Sequence, residues 1–295
     1  MRLKKDLGKG ERLYKAFIYV CLSVLAILIL VPVVWVMVAS VKATPEHYGS
    51  PWALPTHIHW QNFVDAWNKA NMGGYMLHSV LITALALVIL LVVALPASYC
   101  LARFKFVTQR FLKTCFMAGL FINVNYIVVP IYLMLSDGDK WLKGILGSGF
   151  LLNNHIVVAV VYAATALPFT IYLLSSYFAT LPHDFEEAAY MDGAGYFRTM
   201  MQVIFPMAKP SIITVILFNF LSFWNEYIII KTLVTNKEQW TLPAGLLNLM
   251  QAQQSAAEYG PMYAGLVLVM LPVLILYMCV QKNLTKGMTV GGLKG

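Results

Sequence analysis

Charge is what this 295-residue chain has least of. Aspartate, glutamate, lysine and arginine make up 12% of it, while hydrophobic residues reach 60%. A water-soluble domain carries about 25% charged residues, so much of this surface must face something other than water. An ordinary soluble domain is excluded. Acids are scarcer than bases, 13 against 21, for a formal charge of +8. The bases sit in short segments between apolar runs, which excludes a nucleic-acid-binding patch as the cause. Cysteine is scarce too. Cys21, Cys100, Cys115 and Cys279 lie in or beside apolar runs with no CxxC spacing, which argues against a zinc site and a disulfide framework. The chain lacks a G-x-x-x-x-G-K-[ST] phosphate loop, an H-E-x-x-H pair and any nucleophile–base constellation. It is therefore expected to hold no catalytic site, metal or cofactor of its own. No cleavable leader is expected, because the first apolar run is too long for a signal-peptide core and no small-residue cleavage site follows it.

Long apolar runs are what remain. A helix crossing a ~30 Å hydrocarbon core needs about 20 mostly apolar residues. Six stretches qualify, near 16–40, 77–101, 112–135, 155–177, 210–234 and 262–281. Their length and uniform apolarity suit helices rather than tilted barrel strands. The predicted fold is an all-α, polytopic membrane bundle of six spans. Residues 1–15 precede it, 16–282 form it and 283–295 follow it as a tail.

Lysine and arginine fix the orientation. Fifteen of the 21 bases fall in the N-terminal segment, the second and fourth connections and the tail. That bias places those segments, and both termini, in the cytoplasm. The outside connections are then Thr44–Tyr75, Ser136–Asn154 and Thr235–Gly260. The first contains Trp52, Trp60, Phe63 and Trp67, and a short amphipathic helix is predicted near Asn62–Ala70.

The fourth connection, residues 181–206, reads least like a loop. Asp184 and Glu187 have capping-box spacing, Ala188 and Ala189 favour a slim helix, and Gly193 permits the left-handed turn that ends one. A second short helix is predicted from about Phe197 to Phe205, ahead of Pro206. A short helix–turn–helix with acids at its leading end suits insertion into a groove on another protein.

This stretch resembles a family signature. Glu187-Ala188-Ala189, three residues, Gly193, nine residues and Val203-Ile204-Phe205-Pro206 is similar to the EAA loop of ABC importer permeases, with Val203 and Phe205 replacing the usual isoleucine and leucine. Four further stretches resemble the carbohydrate-uptake type, like the smaller permease subunit of the maltose transporter. They are Pro96 to Arg103, Met191-Asp192-Gly193-Ala194, Phe223 to Tyr227, and Gly287 to Gly295.

The resemblance implies an importer subunit of a bacterial cytoplasmic membrane, embedded in lipid. It would pair with a second, homologous permease around a path for a sugar or oligosaccharide. An ATPase dimer binding ATP and magnesium would accept the EAA helix, and an extracellular or periplasmic solute-binding protein would deliver the carbohydrate. Asp184, Glu187, Ala188, Ala189, Asp192, Gly193 and Pro206 would couple to the ATPase. Gly292, Lys294 and Gly295 of the tail would also reach it.

Polar residues inside the runs leave two readings open. A charged group at mid-membrane costs about 2.5 kcal/mol or more, so Glu226 must face protein or a watery cavity. Asn219, Ser222 and Glu226 share a helical face, with Trp224 and Asn225 beside them. Asn123, Asn125 and Tyr126 form a similar polar group in the third run. They either line a translocation path or bond helices together, which is worth about 0.6 kcal/mol each. In the resembled transporter the partner subunit makes the main sugar contacts. An ion-coupled secondary transporter using Glu226 is the alternative, but it leaves the spaced loop unexplained, and no pair of broken helices stands out in the sequence.

Overall fold

The computed structural model describes residues 9–68, 70–256 and 259–292, which are helical almost throughout and contain no strand. The chain divides into two compact units, Met1–Ala70 with Leu249–Leu268, and Asn71–Asn248 with Val269–Gly295.

In the first unit, α1 (Lys9–Ala39) leaves Leu22, Leu25, Ile29 and many neighbours exposed. An apolar helix with so little protein cover is suited to lipid or to another subunit. Two short helices follow, α2 (Thr44–Gly49) and α3 (Gln61–Asn68), the latter close to the predicted amphipathic helix. Buried Lys42 holds their connection by donating to Pro51 O at 2.8 Å. Asn62 donates to Ser40 O and Lys42 O at 2.9 and 2.8 Å. Glu46 accepts from the Thr56 amide at 2.9 Å and from the Thr56 hydroxyl. The His47 ring stacks on Tyr263, centroids 5.4 Å apart.

The second unit is built on α4 (Met72–Arg103) and α7 (His155–Thr180), which pack along their lengths. Ala86 and Ala94 on α4 and Ala159 and Ala163 on α7 are buried, and small side chains let membrane helices approach closely. Pro96 and Pro168 sit inside these helices without ending them.

The third and fifth apolar runs depart from the predicted single spans. In place of 112–135 stand α5 (Gln109–Gly119) and α6 (Val124–Leu146), bent by 107°. Asn123 starts α6 by accepting from the Asn125 amide at 2.9 Å, and α6 then runs through much of the predicted outside connection. A hydropathy window averages over the four residues between them. In place of 210–234, α11 (Lys209–Trp224) stops at Asn225 and α12 (Ile228–Leu233) begins afresh. At 16 residues α11 is about 24 Å long, short of a full crossing. Ahead of it lie α8 (Asp184–Met191), α9 (Tyr196–Thr199), a π-helical turn Met200–Ile204 and α10 (Phe205–Met207). The stretch Tyr196–Met207 meets α11 at 76°. Among the described residues four helices are long and apolar enough to cross a membrane, or six if each bent pair is one span.

The predicted outside connection Thr235–Gly260 is mostly α13 (Leu242–Ala256), and α14 (Tyr259–Gly292) closes the fold. The start of α13 is pinned to α4: the Leu242 amide donates to Ser79 Oγ at 2.7 Å, and Gly245 lies so close to the Tyr75 ring that any side chain there would collide with it.

Candidate functional site

α8 begins with His183 as its flanking residue and Asp184 as its first helical one, so the predicted capping box does not form. Asp184, Glu186 and Glu187 instead crowd the first turn, where the helix dipole favours acids. The helix ends as the sequence predicts. Gly193 adopts φ +79°, its amide donates to Tyr190 O at 3.0 Å, and the Ala194 amide donates to Ala189 O at 2.9 Å. These two bonds form a Schellman cap. No atom lies within 4 Å of where a Cβ at Gly193 would be, so backbone conformation and not space demands the glycine.

α8 has two faces. Asp184, Glu187, Ala188 and Met191 are exposed at i, i+3, i+4, i+7 spacing, with Met191 at 88%. Phe185, Tyr196 and Phe197 are exposed nearby, as are Asp192 and Pro206. Glu186 and Ala189 are buried on the other face.

Glu186 is the residue that sequence reasoning missed. Its Oε1 lies 3.2 Å from Arg103 Nε at the end of α4, with side chains 9% and 3% exposed. That N–H is not aligned as a hydrogen bond, so the contact is an ion pair. Tyr99 of α4 donates its hydroxyl to the same oxygen at 3.0 Å. The guanidinium donates Nη2 to Leu181 O at 2.7 Å and meets His183 Nε2 through Nη1 at 3.1 Å. His183 Nδ1 lies 3.2 Å from Glu186 Oε2. The bonds assign a tautomer with the proton on Nδ1, donating to Glu186, and Nε2 accepting from Arg103. Burial, and then the Glu186 carboxylate, push the Tyr190 hydroxyl above its ordinary value. A signal was present in the sequence: Arg103 is a lone guanidinium ending an apolar span, which calls for an acid.

Beneath this knot lies an apolar base. Tyr99, Leu174, Phe178, Met200, Ile204, Ala208 and Val215 form one buried cluster. The π turn belongs to it, with the Phe205 amide donating to Met200 O, and Phe205 stacks on Phe178 at 6.0 Å. The Val203-Ile204-Phe205-Pro206 stretch is thus the footing on which α8 stands.

The six polar candidates within the apolar runs separate. Asn219 is buried and donates to Thr170 Oγ1 at 3.0 Å and Val215 O at 2.9 Å. Trp224 is buried and donates to Val269 O at 3.2 Å. Asn123 serves as the helix cap described above. Asn125, Asn225 and Glu226 come together with Tyr162, Thr165 and Ser222 around a cavity of about 350 Å³. Glu226 caps α12: it accepts the amides of Ile228 and Ile229 at 2.8 Å and of Ile230 at 3.4 Å, and the Tyr162 hydroxyl at 2.7 Å. Of the tail candidates, Gly292 is the last residue of α14, while Lys294 and Gly295 lie outside the described residues.

Residues 94–290 match the model of a family described as the binding-protein-dependent transport system inner membrane component. The chain belongs to this family. As a permease it is an integral membrane transport subunit, and the matched region takes in the end of α4, the α8 knot and everything as far as α14. It is 33% identical over 98% of its length to the diacetylchitobiose uptake system permease protein NgcG of Streptomyces coelicolor, covering 92% of that protein. It is 30% identical over 97% of its length to the multiple sugar-binding transport system permease protein MsmG of Streptococcus mutans, covering 99% of it. Its fold matches a chain of a bacterial ABC transporter involved in import of the acidic polysaccharide alginate, with a TM-score of 0.77. That match spans 95% of this permease and 99% of the other chain at 23% identity.

Proposed function

We propose that this permease forms half of a path for a sugar or oligosaccharide across a bacterial cytoplasmic membrane, and that α8 couples it to a separate ATPase dimer. The relatives named for diacetylchitobiose and multiple-sugar uptake support the substrate class, with a diacetylchitobiose-like disaccharide the first to try. The observation that carries the coupling role is the two-faced α8. One stripe is exposed and acidic with apolar neighbours, suited to a groove on a partner, while the other is anchored through Glu186 to Arg103. The lysine and arginine bias supports a cytoplasmic location for α8 and both termini. A second permease would complete the path, and an external binding protein would load it.

Coupling works by differential affinity. A groove in the ATPase that closes on ATP favours one arrangement of α8 over another, and the rigid footing of α8 passes that preference to α4, α7 and α11. Asp184, Glu187, Ala188, Met191 and Asp192 would meet the groove, Gly193 would set the angle at which α8 leaves, and Pro206 would belong to the footing. Gly292, Lys294 and Gly295 would extend the contact from the tail. ATP and magnesium would bind in the partner. An ion-coupled mechanism through Glu226 gains no support, because that carboxylate is occupied as a helix cap.

Reconstitution with partner permease, ATPase and binding protein tests this. Glu187→Lys should abolish sugar-stimulated ATP hydrolysis while the complex still assembles in the membrane. Wild-type stimulation in that variant would overturn the coupling role.

A further inference from the structure

The cavity beside Glu226 lies where two helix interruptions meet. Val124 and Asn125 open α6 just after its break from α5, and Asn225, Glu226 and Tyr227 form the break between α11 and α12. Non-helical backbone inside an apolar run persists only where it is buried in protein or lines a watery cavity. Asn225 and Tyr227, in the break itself, are exposed, which points to the second case.

The lining also indicates what would bind. Glu226 is the one charged residue around the cavity, and it receives three backbone amides and the Tyr162 hydroxyl. A carboxylate so saturated offers little to a cation. Asn225 donates Nδ2 to Leu221 O at 2.8 Å, so its Oδ1 remains to accept from a ligand hydroxyl. The Asn125 amide and Ser222 hydroxyl both donate and accept. The half-exposed Tyr227 ring adds apolar surface suited to the C–H face of a pyranose. The volume of about 350 Å³ falls within the 300–1,000 Å³ of small-molecule pockets. We infer that this cavity is a saccharide subsite contributed by this chain itself, binding uncharged hydroxyl-bearing rings through Asn125, Ser222 and Asn225. The inference rests on the permease reading above and adds that this subunit touches the cargo.

The experiment uses the complete transporter in proteoliposomes, with Asn125→Ala, Asn225→Ala and the double variant. The probe is whichever of diacetylchitobiose and maltose gives the greater wild-type ATP stimulation through the binding protein. Both asparagines are exposed, so their loss leaves folding intact. Losing a hydrogen bond worth about 1.4 kcal/mol predicts an uptake rate about tenfold lower in each single variant. Stimulated ATP hydrolysis and co-purification of the partner permease should stay within about twofold of wild type. Unchanged uptake in both variants overturns the subsite. So does a parallel loss of ATP hydrolysis or co-purification, which would mark the cavity as a packing seam against the second permease. Absence of stimulation by either sugar in the wild type is a different result and overturns the sugar-permease reading itself.

Discussion

Three whole helices, α5, α6 and α7, separate Arg103 from Glu186 in sequence, yet their side chains meet at 3.2 Å with almost no exposure to solvent. The pair ties the end of α4 to the first turn of α8, so the exposed helix cannot turn without dragging a spanning one. Tyr99 and His183 complete the knot by bonding to the two oxygens of Glu186 separately.

Breaking this pair from one side strands a buried charge, which costs about 3–5 kcal/mol. Arg103→Ala and Glu186→Ala are each expected to lower the thermal midpoint of the solubilised permease. Arg103→Lys should rescue it poorly, since a lysine cannot serve Glu186, Leu181 O and His183 together. Differential scanning fluorimetry of the three variants measures this. A full rescue by lysine would reduce the knot to simple charge pairing.

Gly193 is required for its φ of +79°. A β-branched side chain is disfavoured there by about 1–2 kcal/mol, while asparagine tolerates the left-handed region. Gly193→Val should therefore weaken sugar-stimulated ATP hydrolysis, and Gly193→Asn should retain most of it. Equal activity in the two variants would show that the angle of the turn does not matter.

Glu226→Gln replaces one of the two oxygens that together serve four donors and sets an amide N–H₂ against backbone N–H. Each donor left unsatisfied costs about 1–3 kcal/mol. The variant should melt at a lower temperature, and wild-type uptake should be insensitive to collapse of the proton gradient. Uptake that follows the gradient would revive an ion-coupled mechanism.

Burial, and then the charge of Lys42, hold the His47 imidazole below its ordinary value of 6.5, while Glu46 acts the other way. A histidine with a depressed folded pKa contributes stability that is present above 6.5 and is lost as pH falls below it. The Glu46 carboxyl is depressed below 4.5, chiefly by the Thr56 bonds, so its contribution is lost only at lower pH. The α2–α3 connection should thus loosen between about pH 7.5 and about pH 5.5 through His47 alone. Hydrogen exchange over residues 44–61, corrected for intrinsic rate, should rise across that interval. In His47→Gln the rise should vanish. Its persistence there would point to another group.

Much of this was legible in the sequence, and the losses have physical causes. Apolar runs, the amphipathic helix in the first connection and the Gly193 turn follow from local composition and backbone preference. The break at Asn225-Glu226 does not, because two polar residues hardly lower the average over a 25-residue apolar run. Nor does the contrast between Glu186 and Glu187. Adjacent helical residues point about 100° apart, and only the position of Arg103 on a distant helix decides which acid is buried. The capping box failed for a similar reason, since the Arg103 bonds to Leu181 and His183 fix where α8 begins. α13 was hidden in a connection whose apolar residues find their partners, Tyr75 and Ser79, on α4.

The exposed stripe of α8 is expected to meet an ATPase on the cytoplasmic side. Replacing the four native cysteines by serine and introducing Glu187→Cys allows it to be tested with a membrane-impermeant maleimide. Labelling is expected in inverted vesicles stripped of the ATPase, absent in intact right-side-out cells, and blocked when the ATPase is added back. Labelling from outside, or labelling that the ATPase leaves unchanged, would contradict this placement of α8.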